Sequence, residues 1–261
     1  MIELIPHPKS PIPEVFRDAA NALVAALLAP TCAVCSALLD EPLSGCVCAS
    51  CWRSVLPITP PVCDRCGDPL PRLTAIDCHS ICGRCSTSNG LVRRARAIGP
   101  YEGTLRDIVH ALKYSGRLSL ARPLAELMRY RGQQLLADAD CVVPVPLHWR
   151  RTHQRGFNQA FEIARHLGLP VVKALRRRRA TRPQVELAAD RRRANVAGAF
   201  AVRRPLSRGP ALQGKRVLLI DDVSTTGATL ESCARVLKDC GASDVYALTA
   251  ARVVTGRPHG R

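Results

Sequence analysis

The chain has 261 residues, 47% of them hydrophobic, enough for one full α/β core with a smaller module beside it. Aromatic residues make up only 4%, which argues against an extensive base-stacking platform, and the formal net charge is +17. Residues 1–94 are balanced, with eight Lys/Arg against eight Asp/Glu; residues 145–208 hold sixteen Lys/Arg against three acids, so this window either meets polyanions or stays extended in solvent.

Residues 1–13 contain Pro6, Pro8, Pro11 and Pro13 and read as an extended lead-in. Residues 14–28 carry a helical apolar pattern, with Val15, Phe16, Ala19, Ala20, Leu23, Ala26 and Leu27 near one face and Pro30 closing it; this helix is expected to pack on the module that follows. The apolar run 19–29 is too short to span a bilayer, and Glu14 and Asp18 stand where an export signal is basic. No membrane insertion and a cytoplasmic location are therefore expected.

Ten of the thirteen cysteines precede residue 86. Eight form CxxC knuckles: Cys32 with Cys35, Cys48 with Cys51, Cys63 with Cys66, and Cys82 with Cys85. A knuckle puts two sulfurs on one tight turn, and two facing knuckles complete the tetrahedral S₄ geometry that zinc prefers. Consecutive pairing, Cys32/Cys35/Cys48/Cys51 and Cys63/Cys66/Cys82/Cys85, needs the shorter loops, although spacing alone leaves crossed pairing open. Cys46, Cys78 and His79 are then spare. Two such Zn²⁺ sites lower the chain's effective charge by about four, and closed Cys₄ sites are structural, with no open position for substrate. The expected organisation is an N-terminal extension and helix over 1–30, a double zinc ribbon over 31–90, and an α/β domain over 95–254.

In the second domain, strands are expected at 95–101, 141–146, 171–175, 199–202, 217–220 and 244–252. Helices are expected at 102–113 and 118–136, through Ala164, and from Ala228 onward. The alternation implies a mostly parallel sheet with helices on both faces. Pro144 and Pro146 end one strand where a cis peptide would bend the chain. The arginine-rich stretch 176–193 cannot pack as core and reads as an exposed arm.

Residues 217–230, VLLIDDVSTTGATL, concentrate the chemistry. Four apolar residues are expected to form a buried strand that ends in Asp221 and Asp222. Ser224, Thr225, Thr226, Gly227, Ala228 and Thr229 then supply hydroxyls, a tight turn and a helix start able to wrap a phosphate. Two carboxylates beside such a loop suit a ligand with a diol at one end and a phosphate at the other. The stretch resembles the phosphoribosyl-pyrophosphate (PRPP) signature of type I phosphoribosyltransferases, with Ser224 where an apolar residue is more usual.

Together with the knuckles, LKYSGR (112–117), VVPVPLHWRR (142–151), QRGFNQA (154–160) and RRRANVAGAF (191–200), the chain resembles the ComF family, a double zinc ribbon joined to a type I phosphoribosyltransferase-like domain. The resemblance implies that Asp221 and Asp222 hold ribose hydroxyls and Mg²⁺, and that Thr225, Thr226, Gly227, Ala228 and Thr229 bind the 5-phosphate. It places Arg150 and Arg151 in a pyrophosphate loop, with Lys113, Arg117, Arg155 and the 181–195 arm closing over the leaving group. It implies a role in DNA uptake, with PRPP or a related phosphosugar as ligand and single-stranded DNA and a DNA-uptake helicase as partners. Two functions follow from these residues: phosphoribosyl transfer to a nitrogen acceptor, for which no base-reading sequence stands out, or a non-catalytic DNA-handling protein that keeps the fold as sensor or scaffold. A purely structural zinc adaptor leaves Asp221 and Asp222 without a role.

Overall fold

A computed structural model describes residues 14–71, 80–179, 198–203 and 212–254. Helix α1 (Glu14–Leu28) precedes two short helices, α2 (Ala49–Arg53) and α3 (Gly83–Ser86), that belong to the cysteine-rich region. The sheet domain follows as β1 (Arg94–Pro100), α4 (Gly103–Tyr114), α5 (Ala121–Arg131), α6 (Gln133–Asp138), β2 (Cys141–Pro144), α7 (Trp149–Arg155), α8 (Gln159–Ala164), β3 (Leu175–Arg177), β4 (Phe200–Val202), β5 (Arg216–Ser224), α9 (Ala228–Asp239) and β6 (Asp244–Arg252).

Four strands form one parallel sheet in the order β1-β6-β5-β2, so the central positions go to the most continuously apolar strands, β5 and β6. Successive residues point to opposite faces, and the core divides accordingly. Leu218, Ile220 and Leu248 meet α4, α5 and α8 on one side, while Val217, Leu219, Val245 and Ala247 meet α9 and Phe200 of β4 on the other. The first core also includes Cys32, Leu39, Val47, Cys51 and Val55, so the cysteine-rich region packs into the sheet domain's own interior. It also covers the sheet edge: Ile58 N–H donates to the Ile98 carbonyl at 3.1 Å and Ala95 N–H to the Arg65 carbonyl at 2.7 Å, occupying backbone groups that β1 would otherwise leave open.

The structure departs from several expectations. The α1 helix forms, but its docked side carries Asn21, whose Oδ1 accepts from Leu43 N–H at 3.0 Å, while Phe16 and Leu27 are 71% and 74% exposed. The long helix over 118–136 is divided at Gly132, where glycine is needed because a Cβ would lie 2.6 Å from the Leu248 side chain and 2.8 Å from the Met128 carbonyl. The strand expected at 171–175 shrinks to one parallel bridge, Val171 to Val142, and the chain then forms an antiparallel ribbon of β3 with β4. Arg176 and Arg177 therefore belong to a strand rather than to the arm, most of which, at 180–197, lies outside the described residues. Cys78 and His79 lie outside them too. Among the described residues the one cis peptide joins Pro60 and Pro61, so the bend at Pro144 and Pro146 is made with trans bonds. No helix among them is long and apolar enough to cross a membrane.

Candidate active site and metal centres

Strand β5 does not stop at Ile220; it continues through Asp221 and Asp222 to Ser224, level with Arg252 of β6. The two acids thus point to opposite faces of the sheet edge. Asp222 faces α4, where its Oδ1 lies 3.0 Å from Lys113 Nζ and both side chains are 13% exposed. Burial pulls Lys113 down, but the Asp222 carboxylate outweighs it and holds the lysine pKa above its ordinary value. Asp221 lies toward α9 and β3, and its Oδ1 accepts from the Asp222 N–H at 2.9 Å. Burial first, and then the neighbouring Asp222 carboxylate, push the Asp221 carboxyl up to about 7 against the pull of Lys113 and Arg177. Asp222 is thus bridged to Lys113, and Asp221 is the buried acid whose carboxyl is held at about 7.

Beyond Ser224 the chain turns through Thr225 and Thr226 into α9. Gly227 adopts φ +79°, the left-handed region that side chains disfavour, and this places the first backbone N–H groups of α9 at the sheet edge. Thr226 Oγ1 accepts from Ala228 N–H at 3.4 Å inside this turn. An anion held there meets the positive end of a 12-residue helix.

A cavity of about 460 Å³ opens beside Lys113 and is also lined by Tyr114, Gly116, Arg151, Gln154, Arg155 and Phe157. The segment after Pro146 was expected to be a loop, but most of it is the helix α7. His148 caps that helix through Nδ1, which accepts from Arg150 N–H at 3.4 Å. Helical spacing then turns Arg151, Gln154 and Arg155 to one face, which is why all three reach the cavity. Arg150 points elsewhere, stacking on the exposed Trp149 ring at 5.3 Å, and Arg117 is not among the lining residues. Arg155 covers the Tyr114 ring at 4.8 Å. Lys113 thus links the acid pair to the cavity, since it is bridged to Asp222 and lines the cavity with Arg151, and the 225–229 turn follows β5 directly in the chain; Arg150 is set apart. Arg177 was not singled out in the sequence; its burial on the Phe200 ring, 5.2 Å away, brings its charge to bear on Asp221.

The eight knuckle cysteines resolve into Cys32/Cys35/Cys48/Cys51 and Cys63/Cys66/Cys82/Cys85, with all four sulfurs of each set within 4.8 Å of one another. The consecutive pairing is the one adopted. The Cys32–Cys51, Cys35–Cys48 and Cys66–Cys82 sulfur separations are 3.9, 3.7 and 3.7 Å. A tetrahedral ion with Zn–S bonds of about 2.3 Å requires edges of about 3.8 Å, so these donors fit Zn²⁺. The sites are repeats of one another: Cys48 N–H donates to Cys32 Sγ and Cys82 N–H to Cys63 Sγ, each at 3.3 Å. Cys46 stands apart, 3.5 Å from Ser119 Oγ.

The second site is tied to the sheet. Arg84 Nη2 lies 3.6 Å from Cys66 Sγ and 3.0 Å from Asp68 Oδ2, and Asp68 Oδ1 accepts from Arg252 Nε at 2.7 Å. Asp68 and Arg252 are 5% and 4% exposed, and Arg252 sits opposite Ser224 at the entrance to the phosphate-type turn.

Comparison with known families agrees with this architecture. Residues 23–86 match the double zinc ribbon domain and residues 153–260 the phosphoribosyl transferase domain. The DNA utilization protein YhgH of Escherichia coli (strain K12) is 32% identical over 212 residues, spanning 76% of this chain and 87% of that protein. Competence protein F of Haemophilus influenzae is 29% identical over 217 residues (79% and 90% of the two chains), and competence protein ComFC of Bacillus subtilis 27% over 214 (79% and 84%). With ribbon, parallel sheet and acid pair in one continuous chain, and with kinship along most of its length, the chain belongs to the ComF family of double-zinc-ribbon proteins with a type I phosphoribosyltransferase fold.

Proposed function

We propose that this protein binds PRPP with Mg²⁺ and transfers its phosphoribosyl group to a nitrogen acceptor. One observation supports the reading: Asp222, at the end of β5 just before the 225–229 turn, is bridged at 3.0 Å to Lys113, which lines the cavity together with Arg151 and Arg155. Asp221 and Asp222 accept hydrogen bonds from the ribose hydroxyls and hold Mg²⁺ through water, while the turn takes the 5-phosphate. Lys113, Arg151 and Arg155 face the diphosphate as its bond to the anomeric carbon breaks and the electron pair leaves with it. The carboxylates favour the positive charge that grows on the ribose, and the acceptor's lone pair forms the new C–N bond as its proton is released. PRPP with Mg²⁺ at 100 times its Kd is expected to stabilise the fold by about 2.7 kcal/mol. Asp221→Asn with Asp222→Asn removes that increment; its persistence in the double variant would assign the binding elsewhere.

The kinship with a DNA utilization protein and with competence proteins supports placing this chain in DNA uptake, with a helicase of that process as the partner implied by the resemblance. A second reading, direct handling of single-stranded DNA, rests on Arg150 over Trp149 and Arg155 over Tyr114, two arginine–aromatic pairs whose rings are 65% and 62% exposed. It predicts binding that weakens steeply with salt and is lost in Trp149→Ala with Tyr114→Ala.

A further inference from the structure

A second cavity, of about 290 Å³, opens at the start of β1 and is lined by Arg94, Arg96, Tyr130, Arg131, Gln133 and Gln134 among others. Ser224 is level with Arg252, and Arg252 with Pro100 at the far end of β1, so this cavity lies about 20 Å along the sheet from the phosphate-type turn. Two of its three guanidinium groups are not neutralised from within. The Arg94 side chain has no carboxylate or hydrogen-bond partner among the described residues, and the Arg131 guanidinium meets only the Tyr130 ring, 5.4 Å away. Arg96 is held by the carbonyls of Ala95 and Asp64 at 2.8 and 2.9 Å and by the Asp64 carboxylate at 3.7 Å, which fixes it as part of the wall.

Guanidinium groups match phosphate oxygens in pairs, an exposed phenol ring offers a stacking surface, and two adjacent amides can both donate and accept at the edge of a heterocycle. Tyr130 is 60% exposed at the rim. Gln133 and Gln134 open the helix α6 beside it. We infer that this cavity is a second ligand site, separate from the acid pair, that binds a nucleoside phosphate, either free or as one unit of a single strand. Arg94 and Arg131 take the phosphate, Tyr130 stacks on the base, and the glutamine amides meet the base edge. Because Arg96 also donates to the carbonyl of Asp64, next to the zinc ligand Cys63, an occupied site braces the junction between the second zinc centre and β1.

The inference is independent of PRPP binding and is tested separately, by calorimetric titration of the full-length zinc-loaded protein. The probes are ATP, an oligodeoxythymidylate and inorganic diphosphate. Saturable binding of ATP or of the oligonucleotide is expected, with Kd raised at least tenfold in Arg94→Gln with Arg131→Gln and severalfold in Tyr130→Leu. Tyr130 and Arg131 are exposed and Arg94 is half-buried, and an unchanged zinc content and melting midpoint verify that the variants fold. ATP binding identifies a free nucleotide as ligand, and binding of the oligonucleotide alone identifies a strand. Absence of saturable binding by both, binding unaffected by the arginine substitutions, or diphosphate binding as tightly as ATP would each overturn the proposal.

Discussion

Replacing Asp221 with Asn removes a carboxyl group that the ligand-free fold holds at about 7 instead of the ordinary 3.8. The raised value means that the folded protein prefers the neutral acid, while the unfolded chain ionises it freely. The group's contribution is therefore fully favourable below pH 3.8 and is lost progressively as pH rises through 7. A displacement of roughly three pH units corresponds to a ceiling of about 4 kcal/mol at pH 8, and to about half of that at pH 5.5. Asn keeps the shape and can still accept from the Asp222 N–H, so Asp221→Asn is expected to stabilise the free protein. With about 2–4 °C of melting midpoint per kcal/mol for a chain of this size, the gain at pH 8 is at least 2 °C and exceeds that at pH 5.5. The same variant is expected to lose the increment given by PRPP with Mg²⁺, so a single substitution moves two assays in opposite directions. Thermal melts at both pH values, with zinc content checked in each, decide the matter. An Asn variant no more stable than the parent at pH 8, or equally stabilised at both pH values, would refute the electrostatic account of the acid pair.

Lys113→Met strips the cation from a mostly buried pair and leaves Asp222 uncompensated, at an expected cost of about 2–4 kcal/mol in chemical denaturation. Adding Asp222→Asn should recover most of that stability without restoring the response to PRPP. Asp68→Asn breaks the 2.7 Å contact with Arg252 and is expected to cost about 3–5 kcal/mol, with faster amide exchange along β6 and the second zinc ribbon. Cys66→Ser should lower the zinc count by native mass spectrometry from two ions to one; retention of two would contradict the separate Cys₄ sets.

The parts of the candidate site that are contiguous in the chain were legible in the sequence. Asp221 through Thr229 could be read because one strand, turn and helix start carries them all, and the CxxC spacing announced the metal sites. What escaped depends on distant neighbours. Which knuckles pair was settled by sulfur distances, and the need for glycine at 132 by the proximity of Leu248. The Arg151, Gln154 and Arg155 face became visible only once His148 was seen to start a helix, although a histidine at a cap followed by Gly156 was a usable signal. Extension of β5 to Ser224 places the acids on opposite faces, and its pairing with β6 provides for that, which no local pattern shows. The helix α1 was legible, but its apolar stripe was expected to dock and instead leaves Phe16, Leu23 and Leu27 exposed, while the contact from Leu43 N–H to Asn21 marks the side that meets the cysteine-rich region.

The central claim is that the acid pair and the turn behind it make one phosphosugar site. Titration calorimetry of PRPP into the zinc-loaded protein with Mg²⁺ tests this most directly. One saturable site per chain is expected in the parent and none in Asp221→Asn with Asp222→Asn, whereas absence of binding in the parent, or equal binding in both proteins, would contradict the account.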